Sequence, residues 1–253
     1  MTAVDPRWYE TFFETDEWLA LAPSLGPERT ESETAFVAAQ LPDGARVLYL
    51  ACGTGRISIP LARRGFGVAG LDVSARVLEV ARTDAPELDF RQGDMRELPW
   101  DDGSFDAVLN LWTAFGYFEA RGDDERVLSE VARVLVPGGL FVLDTVNQTA
   151  LMRRFQSRDW RELPDGLLML EDHTYDVVTG RGRARWTYVG ESGRRTIEFD
   201  HRVYTCPEYV DLLRGAGLEP LRFFGDMAGA ELTTDTRRLI VVAARQARPR
   251  TAS

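Results

Sequence analysis

Two cysteines and two histidines in 253 residues leave little material for metal or redox chemistry. Cys52 and Cys206 are far apart, and no CxxC or Cys/His ligand spacing occurs, so no metal site is expected and the cytoplasm is the expected location. No apolar run approaches the ~20 residues that a membrane span needs. A basic region followed by an apolar one is also missing at the N-terminus, where Asp5, Arg7 and Glu10 stand among aromatics, so no secretory signal is expected. Positive charge is scarce: 30 Lys and Arg against 40 Asp and Glu give a net charge of -10. A field of that sign repels phosphate backbones and anionic lipid surfaces, which argues against nucleic acid or membrane as partners. The acidic runs Asp101-Asp102 and Asp123-Asp124-Glu125 show no ligand pattern and read as solvated loops or helix N-terminal charges.

With 44% hydrophobic and 28% charged residues, the chain can bury one large core. Short β-branched or apolar runs alternate with amphipathic segments, as in a mostly parallel sheet covered by helices on both faces. The spacing predicts strands at 46–50, 68–72, 88–91, 105–111, 140–145, 218–224 and 239–244. Helices are predicted at 55–64, 75–83 with Ser74 as N-cap, and 124–135. Residues 155–204 change character, with antiparallel strands at 167–178, 181–190 and 196–204 joined at Thr179-Gly180 and Ser192-Gly193. Thr205-Cys206-Pro207-Glu208 has capping-box spacing and opens a further helix. The expected layout is therefore an N-terminal helical segment 1–40, a sheet domain 41–154 with 205–246, an inserted β layer 155–204 and a flexible tail 247–253. In the first segment, Trp8, Tyr9, Phe12, Phe13, Trp18 and Leu19 read equally as a helix docked on the core and as a lid over a ligand.

Ala51-Cys52-Gly53-Thr54-Gly55 follows the first strand. Glycines there let backbone amides approach a ligand at a helix N-terminus. The spacing is neither G-x-G-x-x-G nor a P-loop, since Ser58 stands at the third position after Gly55 and no Gly-Lys-Ser/Thr follows. Asp72 ends the second strand, where a carboxylate can accept from ribose hydroxyls, and Gly93-Asp94-Met95 follows the third, offering an acceptor and an apolar face to a purine.

In motif order, ACGTG, GLDVS, GDM, FDAVLNL and LVPGG, the chain resembles the class I S-adenosylmethionine-dependent methyltransferases over 45–147 and 205–245. The resemblance implies a Rossmann-like seven-stranded α/β fold, S-adenosyl-L-methionine as cofactor, and transfer of its methyl to nitrogen or oxygen of a small molecule. It places Ala51, Gly53 and Gly55 at the methionine part, Asp72 with Val73 at the ribose, and Asp94 with Met95 at the adenine. Leu111 and the lid residue Tyr9 would complete the cofactor site. Glu28-Arg29-Thr30 and Leu143-Asp144-Thr145-Val146-Asn147 are similar to a bacterial subgroup with an inserted β layer, which includes small-molecule and sugar N-methyltransferases.

Tyr49 departs from the family, which usually carries an acid there to order the loop and face the cofactor's ammonium. Three explanations compete: weaker binding, an amino acid end held by other groups, or a lost or altered reaction. The second is the expectation, with Arg29 on the carboxylate and backbone around Ala51 on the ammonium. A cofactor-binding protein without methyl transfer, or other sulfonium chemistry, are the alternative functions.

For the acceptor, Trp112, Phe115 and Tyr117 form an aromatic run where the family places its substrate, and Asn147 is added to that set. Period-two alternation puts His201 and Val203 on one strand face, Arg202 and Tyr204 on the other. Arg202 and Tyr204 are the preferred pocket pair, Tyr204 as a hydrogen-bonding group and Arg202 for an anionic group. His201 is the candidate base. A homodimer is compatible with all of this.

Overall fold

Arg46–Leu50 (β1) and Gly67–Asp72 (β2) are exposed only at their first residue, the pattern of strands covered on both faces. In the computed structural model, which describes residues 4–16, 18–19, 26–163, 166–190 and 193–247, they join Asp89–Gln92 (β3), Phe105–Asn110 (β4), Leu135–Val146 (β5), Leu218–Phe224 (β10) and Arg238–Arg245 (β11) in one sheet. The spatial order is β10-β11-β5-β4-β1-β2-β3. Only β11 breaks the parallel run, pairing antiparallel with β5 and β10. The chain moves outward from β1 to β3 and then returns to place β4 on the other side of β1. The crevice of such a sheet opens at that reversal, beyond the carboxyl ends of β1 and β4.

Alternation sorts the strand residues into two cores. Leu48, Leu50, Val108 and Leu143 meet Val127 and Leu128 of α5 (Arg121–Val134), Leu212 and Leu213 of α7 (Cys206–Gly215), and Trp8 and Phe12 of α1 (Trp8–Phe12). Val47, Tyr49, Leu109 and Val142 face the opposite core, with Phe36 and Val37 of α2 (Pro27–Gln40), Leu61 of α3 (Ser58–Arg63) and Leu78 of α4 (Ala75–Asp84). The predicted caps are present: Ser74 accepts from the Val77 amide, and Thr205 with Glu208 closes both arms of a capping box.

A second, antiparallel sheet has the order β6-β7-β8-β9, from Arg158–Glu162 (β6), Leu168–Asp176 (β7), Arg181–Gly190 (β8) and Gly193–Arg202 (β9). It is clamped to the main sheet where the Arg202 amide donates to the Gly116 carbonyl at 2.7 Å. At Gly116, with φ of +92°, an added Cβ would lie 2.4 Å from the Arg202 carbonyl oxygen, so only glycine allows this approach. α1 packs directly on β9.

Some expectations change. β6 and α6 (Gln148–Arg153) were not foreseen, and every residue of β6 is exposed, so it carries no period-two signal. β5 begins at Leu135, ahead of the Pro137-Gly138-Gly139 stretch, and α3 begins at Ser58 because the loop before it continues through Ile57. Asp123 and Asp124 stand in the first turn of α5, as helix N-terminal charges, but Asp124 is fully buried there. Ser192 and most of the tail lie outside the described residues.

Candidate active site

Two adjoining cavities occupy the crevice beyond β1 and β4. The inner one is lined by Ala51 and Gly53 after β1, Asp72 and Val73 after β2, Asp94 and Met95 after β3, and Leu111 after β4, with Tyr9 above. Ala51 and Gly53 adopt φ of 56° and 57°, which turns the loop sharply back. A Cβ built on Gly53 would meet nothing within 4 Å, so a ligand has room against bare backbone there. The Asp72 carboxylate holds this loop to the β2 turn, accepting from the Gly53 amide at 2.8 Å and the Ser74 amide at 3.0 Å. Burial raises the Asp72 carboxyl above its ordinary value, against the pull of those amides. Asp94 is also buried in part, yet hydrogen bonds from the Arg96 guanidinium and amide hold it below the usual carboxylate range.

The segment after β4 is strained. Trp112 and Thr113 have φ of 63° and 62°, a region that costs such bulky or β-branched residues about 1–2 kcal/mol each. Asp144 of β5 holds them there: its carboxylate accepts from the Trp112 amide at 2.9 Å and its carbonyl from the Thr113 amide at 3.0 Å. Arg238 of β11 bonds both Asp144 and the Thr113 hydroxyl. The Trp112 indole in turn donates to Glu33 of α2 at 3.0 Å, while the Arg29 and Arg56 guanidinium carbons lie 4.4 and 4.6 Å from its ring centroid. Glu33, buried on α2, also accepts from Arg29 at 2.9 Å and from Arg56 at 2.6 Å. Arg29 is thus a neighbour of Trp112 rather than a wall of the inner cavity. Tyr49 points into the opposite core, and burial pushes its phenol up.

The outer cavity has a volume of about 480 Å³. Its walls come from α1 and the residues after it (Trp8, Phe12, Phe13, Trp18), from the β4 segment (Trp112, Tyr117) and from the second sheet (Trp186, Phe199, His201). The rings interlock: Trp8 lies 4.7 Å from Tyr117 and 5.5 Å from Phe199, and Trp186 lies 4.7 Å from Phe199. Phe13, Trp18, Trp112 and Tyr117 line both cavities. The His201 Nε2 is buried without a hydrogen-bond partner, and burial lowers the imidazole pKa from 6.5 to about 4.

The structure brings together Tyr9, Ala51, Gly53, Asp72, Val73, Asp94, Met95, Leu111, Trp112 and Tyr117 on the inner cavity. Five other expected site residues, besides Arg29, line neither cavity. The preferred pair Arg202 and Tyr204 is corrected, because the opposite strand face, with His201 and Val203, meets the aromatic cavity. Tyr204 is buried and donates its hydroxyl to Asp124 at 2.7 Å, and Arg202 bonds the Thr179 and Glu119 carbonyls at a separate surface hollow. Phe115 packs on Tyr204 and Tyr209 in the core. Asn147 caps α6 and donates to the Thr233 and Thr236 carbonyls. Gly55 shapes the loop without lining a cavity, its missing Cβ making room for Ile59 and Phe90. Sequence reasoning missed Glu33, Trp186 and Phe199. The i,i+4 spacing of Arg29 and Glu33 was a usable signal, whereas the two rings carried none.

Residues 47–139 match the family described as Methyltransferase domain. The chain is 30% identical over 222 residues to the Bacillus subtilis protein YqeM, which bears the name of a methyltransferase, covering 81% of this chain and 86% of that one. Among solved structures, the CcbJ methyltransferase from Streptomyces caelestis superposes with a TM-score of 0.79 at 23% identity, over 87% of this chain and 91% of the other. CalS10 from Micromonospora echinaspora, an amino pentose methyltransferase solved with S-adenosylmethionine bound, gives 0.68 at 24% identity, over 92% and 98%.

Proposed function

We propose, from the premise that this chain belongs to the S-adenosylmethionine-dependent methyltransferases, that the inner cavity holds the cofactor and the outer cavity presents a small-molecule acceptor to it. The observation that carries this reading is the adjacency of the two cavities, which share Phe13, Trp18, Trp112 and Tyr117 as lining. When bound, S-adenosylmethionine supplies an electrophilic methyl group to oxygen or nitrogen of the acceptor. The open backbone at Gly53 fits a ligand that must come close to this loop. In the reading, Ala51 and Gly53 with Gly55 shape the cradle for the methionine part, Asp72 with Val73 serves the ribose, and Asp94 with Met95 the adenine. Tyr9 and Leu111 cover the remainder.

Arg29 and Arg56 flank Trp112, one ring away from the inner cavity, and supply positive charge for the cofactor's carboxylate. Glu33, buried and hydrogen-bonded to both, orients them. The aromatic walls exclude water and hold the acceptor near attack, and a neutral His201 receives its proton where one must leave. The free thiols Cys52 and Cys206 suit a cytoplasmic enzyme. The exposed side chains Trp160 and Leu170, partners across β6 and β7, with Leu168 two residues along β7, suit a homodimer.

Calorimetric titration with S-adenosylhomocysteine tests the site. Micromolar binding is expected, and no binding of either sulfur nucleotide overturns the reading. Arg29→Ala is expected to weaken that affinity at least tenfold, and an unchanged affinity removes Arg29 from the site.

A further inference from the structure

β6 is the open edge of the second sheet, and every one of its residues is exposed. The contacts at its two ends fix which way its backbone groups point. The His173 amide donates to the Ser157 carbonyl at 2.9 Å, and the Leu163 amide to the Leu167 carbonyl at 2.7 Å. In an antiparallel ladder the amide and carbonyl of one residue turn to the same side, and the side alternates along the strand. Odd-numbered residues therefore turn theirs to β7, while Arg158, Trp160 and Glu162 turn theirs to the open edge. The Trp160 amide agrees with this, since it donates to the Asp159 carboxylate at 2.8 Å.

An open edge invites another strand, and charged side chains on it usually keep copies apart. The order of charge along β6 does the opposite. Arg158-Asp159-Trp160-Arg161-Glu162 reverses sign about its centre. When a second β6 runs antiparallel with tryptophan opposite tryptophan, Arg158 meets Glu162 of the partner subunit and Asp159 meets the partner's Arg161. All four charges of each strand then face an opposite one, which stabilises a strand pair as like charges destabilise it. Slipping by two residues either way sets Asp159 against Asp159 or Arg161 against Arg161. The matched register is also isologous, as two-fold symmetry requires, and it brings the outward backbone groups of Trp160 against their own copies. Trp160 is 65% exposed and stands across from Leu170, itself 40% exposed. Pairing joins this apolar strip to its copy and takes it out of water.

We propose that the chain forms a two-fold dimer in which β6 pairs antiparallel with β6 of a second copy about Trp160, joining the two four-stranded sheets into one. This rests on the homodimer reading given above and names its surface. Because Asp159 lines the outer cavity, Arg161 of the partner subunit then stands at the edge of that cavity.

Sedimentation velocity on the full chain tests the pairing, with circular dichroism to show that each variant is folded. The parent is expected to sediment as a dimer at micromolar concentration. Arg158→Glu and Glu162→Arg each set like charges across the seam, and each is expected to weaken association at least tenfold. Mixed in equal amounts, the two variants are expected to associate with one another, because each supplies the charge that the other lacks. Trp160→Asp, at the two-fold axis, is expected to weaken association as much without touching the ion pair of Arg158 with Asp172. A monomeric parent overturns the proposal and the homodimer reading together. A dimer that these substitutions leave unchanged, or single variants that stay apart when mixed, overturns the β6 pairing and leaves the homodimer reading standing.

Discussion

His201 and Asp124 are both buried, and acidification acts on them in opposite senses. An unfolded chain protonates His201 from about pH 6.5, whereas the folded protein resists until about 4. Across that window the unfolded state binds more protons, so lowering the pH destabilises the fold through His201. Asp124 is raised by burial from 3.8 to about 6, so the folded state takes up its proton first and acidification favours folding across that range. His201→Asn should therefore lose less stability than the parent between pH 6.5 and 4, as read from denaturant midpoints. An equal loss would show that the imidazole is not shielded. Tyr204→Phe removes the hydrogen bond to Asp124, and leaving that carboxyl unpaired should cost about 1–3 kcal/mol. Its melting temperature should fall by several degrees while the acceptor KM stays constant, the reverse of what a pocket residue would show. Alternation grouped these strand residues correctly, His201 with Val203 and Arg202 with Tyr204. Which face met the cavity was not legible, because it is set by how β9 docks on Gly116 and under α1, contacts remote in sequence.

Elements with strong local grammar were readable. Thr205-Cys206-Pro207-Glu208 announced α7, and both arms of its capping box are formed, so Thr205→Ala should cost about 1 kcal/mol in chemical denaturation. A change within error would mean the helix is held by packing of Tyr209 and Leu213 alone. β8 and β10 were expected at their observed bounds, since each is framed by turn residues such as Thr179-Gly180 and Gly217. β6 was invisible for a physical reason: an edge strand exposed on both faces has no apolar period to display. The loop glycines and Asp72 could be picked out by spacing because they lie within one βαβ unit, β1 to β2. Glu33 could not, since its partners Arg56 and Trp112 lie 23 and 79 residues away.

Across the whole molecule, the cation content is entirely arginine, and many of those guanidiniums fasten elements together: Arg238 ties β11 to β5, Arg181 ties β8 to β9, and Arg133 ties α5 to the Leu98 and Trp100 carbonyls. The aromatic residues have a different distribution. Of the six tryptophans, Trp8, Trp18, Trp112 and Trp186 line the outer cavity, and Trp18 and Trp112 also line the inner one. The chain therefore contains its own optical reporter. Ultraviolet emission excited in the indoles will sense either ligand without a label, and a nucleotide that touches only Trp18 and Trp112 will leave a different spectral mark from an acceptor that touches all four.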